Sequence, residues 1–249
     1  MRRKFVAGNW KMNGTRAQLA EVRAIAEAAA KLPQIDAALC VPFTLIASAA
    51  DAAGAMPIGA QDVHEAEKGA HTGCVSAAML VEAGAKLAIV GHSERRADQN
   101  ETGHAIWAKA AAAHKQGLGV ILCVGETESE RDACRAERVV QAQIEESLPE
   151  DADGSWLTLA YEPRWAIGTG RTPTPEEIEA IHAAIRRKLT DLIGDRADGV
   201  RILYGGSLNG ANAAAILAVE NVDGGLIGGA SLTAEKFVPI LEAAAASSR

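Results

Sequence analysis

The sequence predicts an α/β protein folded as a single (β/α)8 barrel over residues 1–249, and three observations carry that prediction. Short β-rich runs alternate with longer Ala/Glu/Lys/Arg segments at helical spacing, which is the pattern of parallel βαβ units rather than of a sandwich. Eight such strands can be read along the chain. A length of 249 residues with 48% hydrophobic content also suits one α/β barrel, for which roughly 250 residues is typical. The competing doubly wound sheet has the same rhythm, but its glycine fingerprint after the first strand is missing.

The first strand, Lys4–Gly8, leads to a helix over Thr15–Lys31 that opens on a threonine cap. Strands at Ala37–Val41 and Pro57–Ala60 follow, then a long loop, Gln61 to Ala77, and a helix over Ser76–Ala83. Strand Leu87–Gly91 precedes helix Thr102–Gln116, and strand Gly119–Val124 precedes helix Glu128–Leu148. Strand Trp156–Tyr161 precedes helix Pro175–Leu192, whose proline stands in the first turn. Strands Val200–Tyr204 and Gly225–Gly228 are followed by helices Ala211–Leu217 and Ala234–Ala245.

Charge and composition exclude several function classes. Twenty-five basic against 32 acidic residues give a net charge of -7, with no like-charge run of the kind that binds nucleic acid. No segment is apolar enough to span a bilayer, and the apolar start ends at Asn9-Trp10-Lys11, short of a signal-peptide core. Cys40, Cys74, Cys123 and Cys134 form neither paired CxxC zinc spacing nor a disulfide framework. A cytoplasmic protein with small-molecule partners and no membrane or nucleic-acid role is expected.

In such a barrel the reactive groups gather where strands end at their carboxyl termini. Polar motifs stand at those places: Asn9-Trp10-Lys11, Gly91-His92-Ser93-Glu94-Arg95-Arg96, Ala160-Tyr161-Glu162-Pro163, Trp165-Ala166-Ile167-Gly168-Thr169-Gly170 and Tyr204-Gly205-Gly206-Ser207. Together, and in this order over nearly the whole chain, they resemble the triosephosphate isomerase family. The resemblance implies a TIM barrel that moves a proton between dihydroxyacetone phosphate and glyceraldehyde 3-phosphate, with no cofactor and no metal.

Each candidate residue also has a chemical reason. Abstracting a proton from carbon beside a carbonyl needs a carboxylate held away from water, which raises its proton affinity, and Glu162 is that candidate. On its own a glutamate at a strand end is more often a solvated rim residue; the lid motif after it reverses that reading. His92 stands before a plausible helix start at Ser93-Glu94, whose dipole disfavours imidazolium. That His92 is a neutral electrophile comes from the resemblance, since this family is itself the reference example of the arrangement. Lys11 supplies a fixed positive charge for an enediolate and a phosphate, and Asn9 an amide donor beside it. Phosphate binding needs clustered backbone N–H groups, which Gly168, Ser207 and Gly228-Gly229 permit at the barrel's usual phosphate site.

The segment Pro163 to Thr174 reads as a lid that would keep water from the enediolate. Three residues depart from the family's pattern: Arg164 and Pro173 at the lid hinges and Cys74 after Thr72-Gly73. In the family, the tyrosine matching Tyr204 meets a backbone N–H at the far hinge when the lid closes, and Pro173 has none. The resemblance also implies a homodimer in which the loop Gln61 to Ala77 enters the neighbouring subunit. There Cys74 replaces an acidic residue expected to pair with an arginine of the Gly91–Arg96 motif. Two alternatives share the glycine sites: another aldose-ketose isomerase barrel, of amino-acid biosynthesis, and a catalytically silent phosphate-binding barrel.

Overall fold

The computed structural model describes residues 2–166 and 172–247. Eight parallel strands close in sequence order into a barrel: β1 Phe5–Asn9, β2 Asp36–Cys40, β3 Ile58–Ala60, β4 Leu87–Val90, β5 Gly119–Val124, β6 Leu157–Tyr161, β7 Arg201–Tyr204 and β8 Gly224–Ile227. β1 closes the ring on β8, with Phe5 beside Gly224 and Gly8 beside Ile227. The expected strands therefore form, each within a residue or so of its predicted bounds. Around them lie α1 Leu19–Ala29, α2 Ile46–Ala53, α3 Ala77–Glu82, α4 Ser93–Asp98, α5 Gly103–Lys115, α6 Glu128–Asp132, α7 Ala136–Ser147, α8 Pro175–Ile193, α9 Ala213–Leu217 and α10 Ala234–Ala246.

Alternation along each strand sorts side chains into two cores. One residue set, including Ala7, Ala38, Ile89, Ile121, Cys123, Ala160 and Leu203, fills the barrel interior. The other set, including Val6, Leu39, Val90, Leu122, Leu159 and Ile202, meets the apolar faces of the helices. Strands buried on both faces must be apolar throughout, which is why they read so clearly in the sequence.

The helices correct the sequence reading in two places. Helix Glu128–Leu148 is two helices, because α6 ends in a reverse turn: Arg135 N–H bonds Glu130 O, Cys134 N–H bonds Arg131 O, and Cys134 takes φ 53°. Cysteine is not the residue expected in that left-handed position, so no stop signal marked it. The short α2 went unread. Capping otherwise follows expectation: Thr102 and Thr174 accept N–H bonds at the starts of α5 and α8, and Glu177 closes a capping box on Thr174.

Behind β6, the buried His182 on α8 places Nδ1 2.9 Å from Asn221 O and packs edge-on to Tyr161. Burial pushes its pKa down to about 4 against the ordinary 6.5. Between those values the unfolded chain binds the proton and the folded chain does not, so stability falls as pH drops through this window. At about 1.4 kcal/mol per pKa unit, the loss approaches about 3 kcal/mol by pH 4. Urea denaturation at pH 7 and pH 4 should show a smaller acid loss for His182→Gln than for the wild type; parallel losses would exclude His182 as the group responsible.

Candidate active site

The expected residues converge at the carboxyl ends of the strands. Asn9 ends β1, His92 follows β4, Glu162 follows β6, and Lys11 and Gly228 lie within the same cavity of about 440 Å³. Gly205, Gly206, Ser207 and Gly229 line it as well. Gly168 lies outside the described residues, as does the rest of the lid tip from Ile167 to Arg171.

Local structure fixes each side chain. Asn9 is buried, and its Oδ1 accepts the Lys11 N–H at 3.0 Å, which supports Lys11 in a left-handed backbone at φ 51°. That conformation costs a non-glycine residue free energy and persists only where neighbours over-determine it, a pattern concentrated at functional sites. Lys11 Nζ meets Glu94 Oε1 at 2.6 Å. Glu162 sits between two close backbone approaches: a Cβ on Gly125 would fall 1.9 Å from Glu162 O, and one on Gly205 would fall 3.0 Å from Glu162 Cγ. Glycine at both positions lets β5 and β7 flank the carboxylate closely.

Glu162 is 2% exposed and heavily bonded. Its Oε2 accepts the Ser93 N–H at 2.9 Å, and its Oε1 lies 3.3 Å from Ser93 Oγ and 2.8 Å from His92 Nε2. Burial pushes its pKa up, but His92, the Ser93 N–H and Lys11 together outweigh burial and hold it below the ordinary value. The expected rise in proton affinity is therefore reversed in this arrangement, because donors surround the carboxylate.

Opposed influences act on His92. Burial favours the neutral ring, while the nearby Glu162 and Glu94 carboxylates raise its proton affinity on balance. The Glu94 N–H, however, donates to Nδ1 at 3.2 Å, making His92 the N-cap of α4. A doubly protonated ring would set two donors against each other there. The backbone bond to Nδ1 favours the tautomer whose proton is on Nε2, pointing at Glu162.

Further groups were missed in the sequence. Ser93 holds the Glu162 carboxylate, and Glu126, fully buried, accepts from Trp165 Nε1 at 2.7 Å and Tyr161 Oη at 3.0 Å. Glu126 thus ties the near lid hinge to the end of β5. Ser207 Oγ donates to Ala166 O at 3.2 Å, joining that hinge to β7. Nothing but a tertiary contact identifies Ser93 or Glu126. Arg95, in the motif whose arginine the family is expected to pair with an acid at the position of Cys74, meets Asp62 at 2.8 Å and Glu101 at 2.7 Å within its own chain. Among the described residues no three His, Cys, Asp or Glu side chains gather as a metal site.

A closed parallel barrel with a buried carboxylate, a histidine and a lysine at its carboxyl mouth, and glycines lining the same cavity, defines an α/β-barrel enzyme suited to proton transfer on an anionic substrate. The family model described as triosephosphate isomerase matches residues 4–244. Similar curated proteins of that name include those of Afipia carboxidovorans, 54% identical over 97% of both chains, and Xanthobacter flavus, 53% identical over 97% of this chain and 98% of that one. A crystal structure of triosephosphate isomerase from Bartonella henselae aligns with a TM-score of 0.90 at 42% identity, covering 97% of this chain and 98% of that chain. The chain belongs to the triosephosphate isomerase family, and its reaction is the interconversion of triose phosphates. Neither alternative barrel reading finds support.

Proposed function

We propose that this single-domain barrel carries a proton between the two substrate carbons of dihydroxyacetone phosphate and D-glyceraldehyde 3-phosphate on Glu162, through an enediolate. The convergence of Asn9, Lys11, His92 and Glu162 on one cavity is the observation that carries this reading. Substrate entry would draw Glu162 away from Ser93 and His92. A buried carboxylate that loses those donors keeps its desolvation penalty and becomes the stronger base the reaction needs. His92 Nε2–H, released from Glu162, donates to the substrate oxygens, while Lys11 and Asn9 stabilise the developing charge. Backbone N–H groups at Ser207, Gly228, Gly229 and the lid's Gly168 take the phosphate. A coupled assay with glyceraldehyde 3-phosphate tests the whole reading: turnover is expected, and its absence in folded enzyme would refute it. Turnover should also survive exhaustive chelation, and loss restored by a divalent ion would overturn the cofactor-free assignment.

The same reading makes the enzyme a cytoplasmic homodimer. Residues 67–74 are exposed at the tip of the long loop, and Met12 is 97% exposed beside a second cavity of about 260 Å³ adjoining Asn9, His92 and Arg95. An exposed loop tip and a notch beside it suit mutual insertion of two copies, with Cys74 packed as a small apolar group. Sedimentation should give twice the chain mass; a monomer at micromolar concentration would refute it. Four free thiols accord with a reducing compartment. No helix among the described residues is long and apolar enough to cross a membrane.

Pro173 alters lid closure. Tyr204 Oη is buried without a hydrogen-bond partner among the described residues, and Pro173 offers it no N–H at the far hinge. Tyr204→Phe should therefore weaken transition-state-analogue binding by only a few tenths of a kcal/mol, against about 1 kcal/mol in a Pro173→Ala background where the donor returns. Equal losses in both backgrounds would show that the proline deletes no closure bond.

A further inference from the structure

At the end of the barrel opposite the catalytic residues lies a larger cavity, about 720 Å³, between the amino ends of the strands and the carboxyl ends of α1 and α2. Its inner wall is the lowest layer of the barrel interior. Phe5 and Asp36 stand side by side there on β1 and β2, and Thr158 and Arg201 on β6 and β7. Arg201 reaches across: one guanidinium nitrogen donates to Asp36 Oδ2 at 2.6 Å, and the group lies over the Phe5 ring at 4.6 Å. Its remaining N–H groups have no acceptor among the described residues.

Two imbalances point to a missing ligand. Thr158 is 4% exposed, faces the cavity, and its hydroxyl has no hydrogen-bond partner among the described residues. The hydroxyl opens onto the cavity and is left free to pair with whatever occupies it. The charges are also unequal. Asp36 serves both Arg3, at 2.8 Å, and Arg201, while Arg23 and Lys86 at the rim have no carboxylate partner among the described residues. Four cationic side chains thus face only Asp36 and Glu27, in a chain whose net charge is -7. Between these polar groups the wall is apolar, built from residues such as Ala26, Ala53, Met56 and Leu87.

We propose that this cavity binds a small organic carboxylate with an apolar body, its head between Arg201 and Thr158 and its body against the alanine-rich wall. A guanidinium edge and a hydroxyl side by side match the two oxygens of a carboxylate. The neighbouring Asp36 selects a monoanion over a dianion by repulsion, so the preference differs from that of the phosphate-binding catalytic end. An apolar wall with a few convergent polar groups is the usual form of a small-molecule site.

Octanoate titrated into the full-length enzyme, followed by calorimetry and by the methyl resonances of Ile121 and Thr158, tests the site. One saturable site per chain is expected, with octanol, the uncharged counterpart, binding about tenfold or more weakly. Thr158→Val keeps the side-chain volume and removes the hydroxyl; with Arg201→Gln it should weaken octanoate by about tenfold each. Should Arg201→Gln fail to fold, Thr158→Val carries the test alone. Saturation of the catalytic site with a triose-phosphate analogue should leave octanoate affinity unchanged, because the two cavities lie at opposite ends of the barrel. Lack of saturable binding, equal affinity in wild type and Thr158→Val, or displacement by the catalytic-site analogue would each overturn the proposal.

Discussion

Glu162→Asp is expected to lower kcat by about 10²-fold while moving KM little, because it withdraws the carboxylate by one methylene, roughly 1 Å, from the carbon it must deprotonate. Steric freedom to compensate is small. Glu162 is 2% exposed, and a Cβ on Gly125 or Gly205 would already crowd its backbone or side chain, so the main chain cannot shift toward the cavity to restore reach. The shorter side chain also loses register with the Ser93 N–H and His92 Nε2, the donors that hold the carboxylate before substrate enters. Steady-state kinetics with single-turnover measurements separate the two constants. Equal damage to kcat and KM would mean that Glu162 contributes binding rather than proton transfer.

The barrel was legible because a parallel sheet covered on both faces writes its strands as continuous apolar runs, as in Leu87–Val90 and Val120–Val124. The candidate site was legible because its side chains stand at the carboxyl ends of those runs and fall within contiguous motifs. What stayed hidden depends on contacts between distant segments. Ser93 binds Glu162 across 69 residues, and Glu126 reaches Trp165 across 39, neither of which leaves a local pattern. The direction of the Glu162 shift failed for the same reason: burial could be inferred from position, whereas the donors that outweigh it could not. The intrachain partners of Arg95 leave no local pattern either, since Asp62 and Glu101 flank it from the end of β3 and the loop before α5. The break at Cys134 was hidden differently. Its reverse turn uses a residue that carries no turn signal, so the helical spacing ran on through it.

His92→Asn should lower kcat by about 10²–10³-fold, the usual loss when one preorganised donor to a developing oxyanion is removed. The choice of asparagine separates two functions of the residue. His92 is the N-cap of α4, accepting the Glu94 N–H on Nδ1, and it also presents Nε2–H toward Glu162 and the cavity. Asparagine is among the best N-cap residues, so its Oδ1 can take over the Glu94 N–H and preserve the start of the helix. Its amide, however, ends well short of the position of Nε2, so the donor to the substrate oxygens is lost. His92→Ala removes both, and its additional cost should appear as about 1 kcal/mol of stability rather than as a further fall in kcat. The comparison therefore predicts two variants with similar residual turnover but different denaturation midpoints, asparagine close to wild type and alanine below it. If His92→Asn retained most of the wild-type kcat, Nε2–H would not be the electrophile, and Lys11 and Asn9 would have to polarise the carbonyl unaided. If it lost turnover and stability together, the effect would trace to the positioning of α4 and of the Ser93 N–H that anchors Glu162.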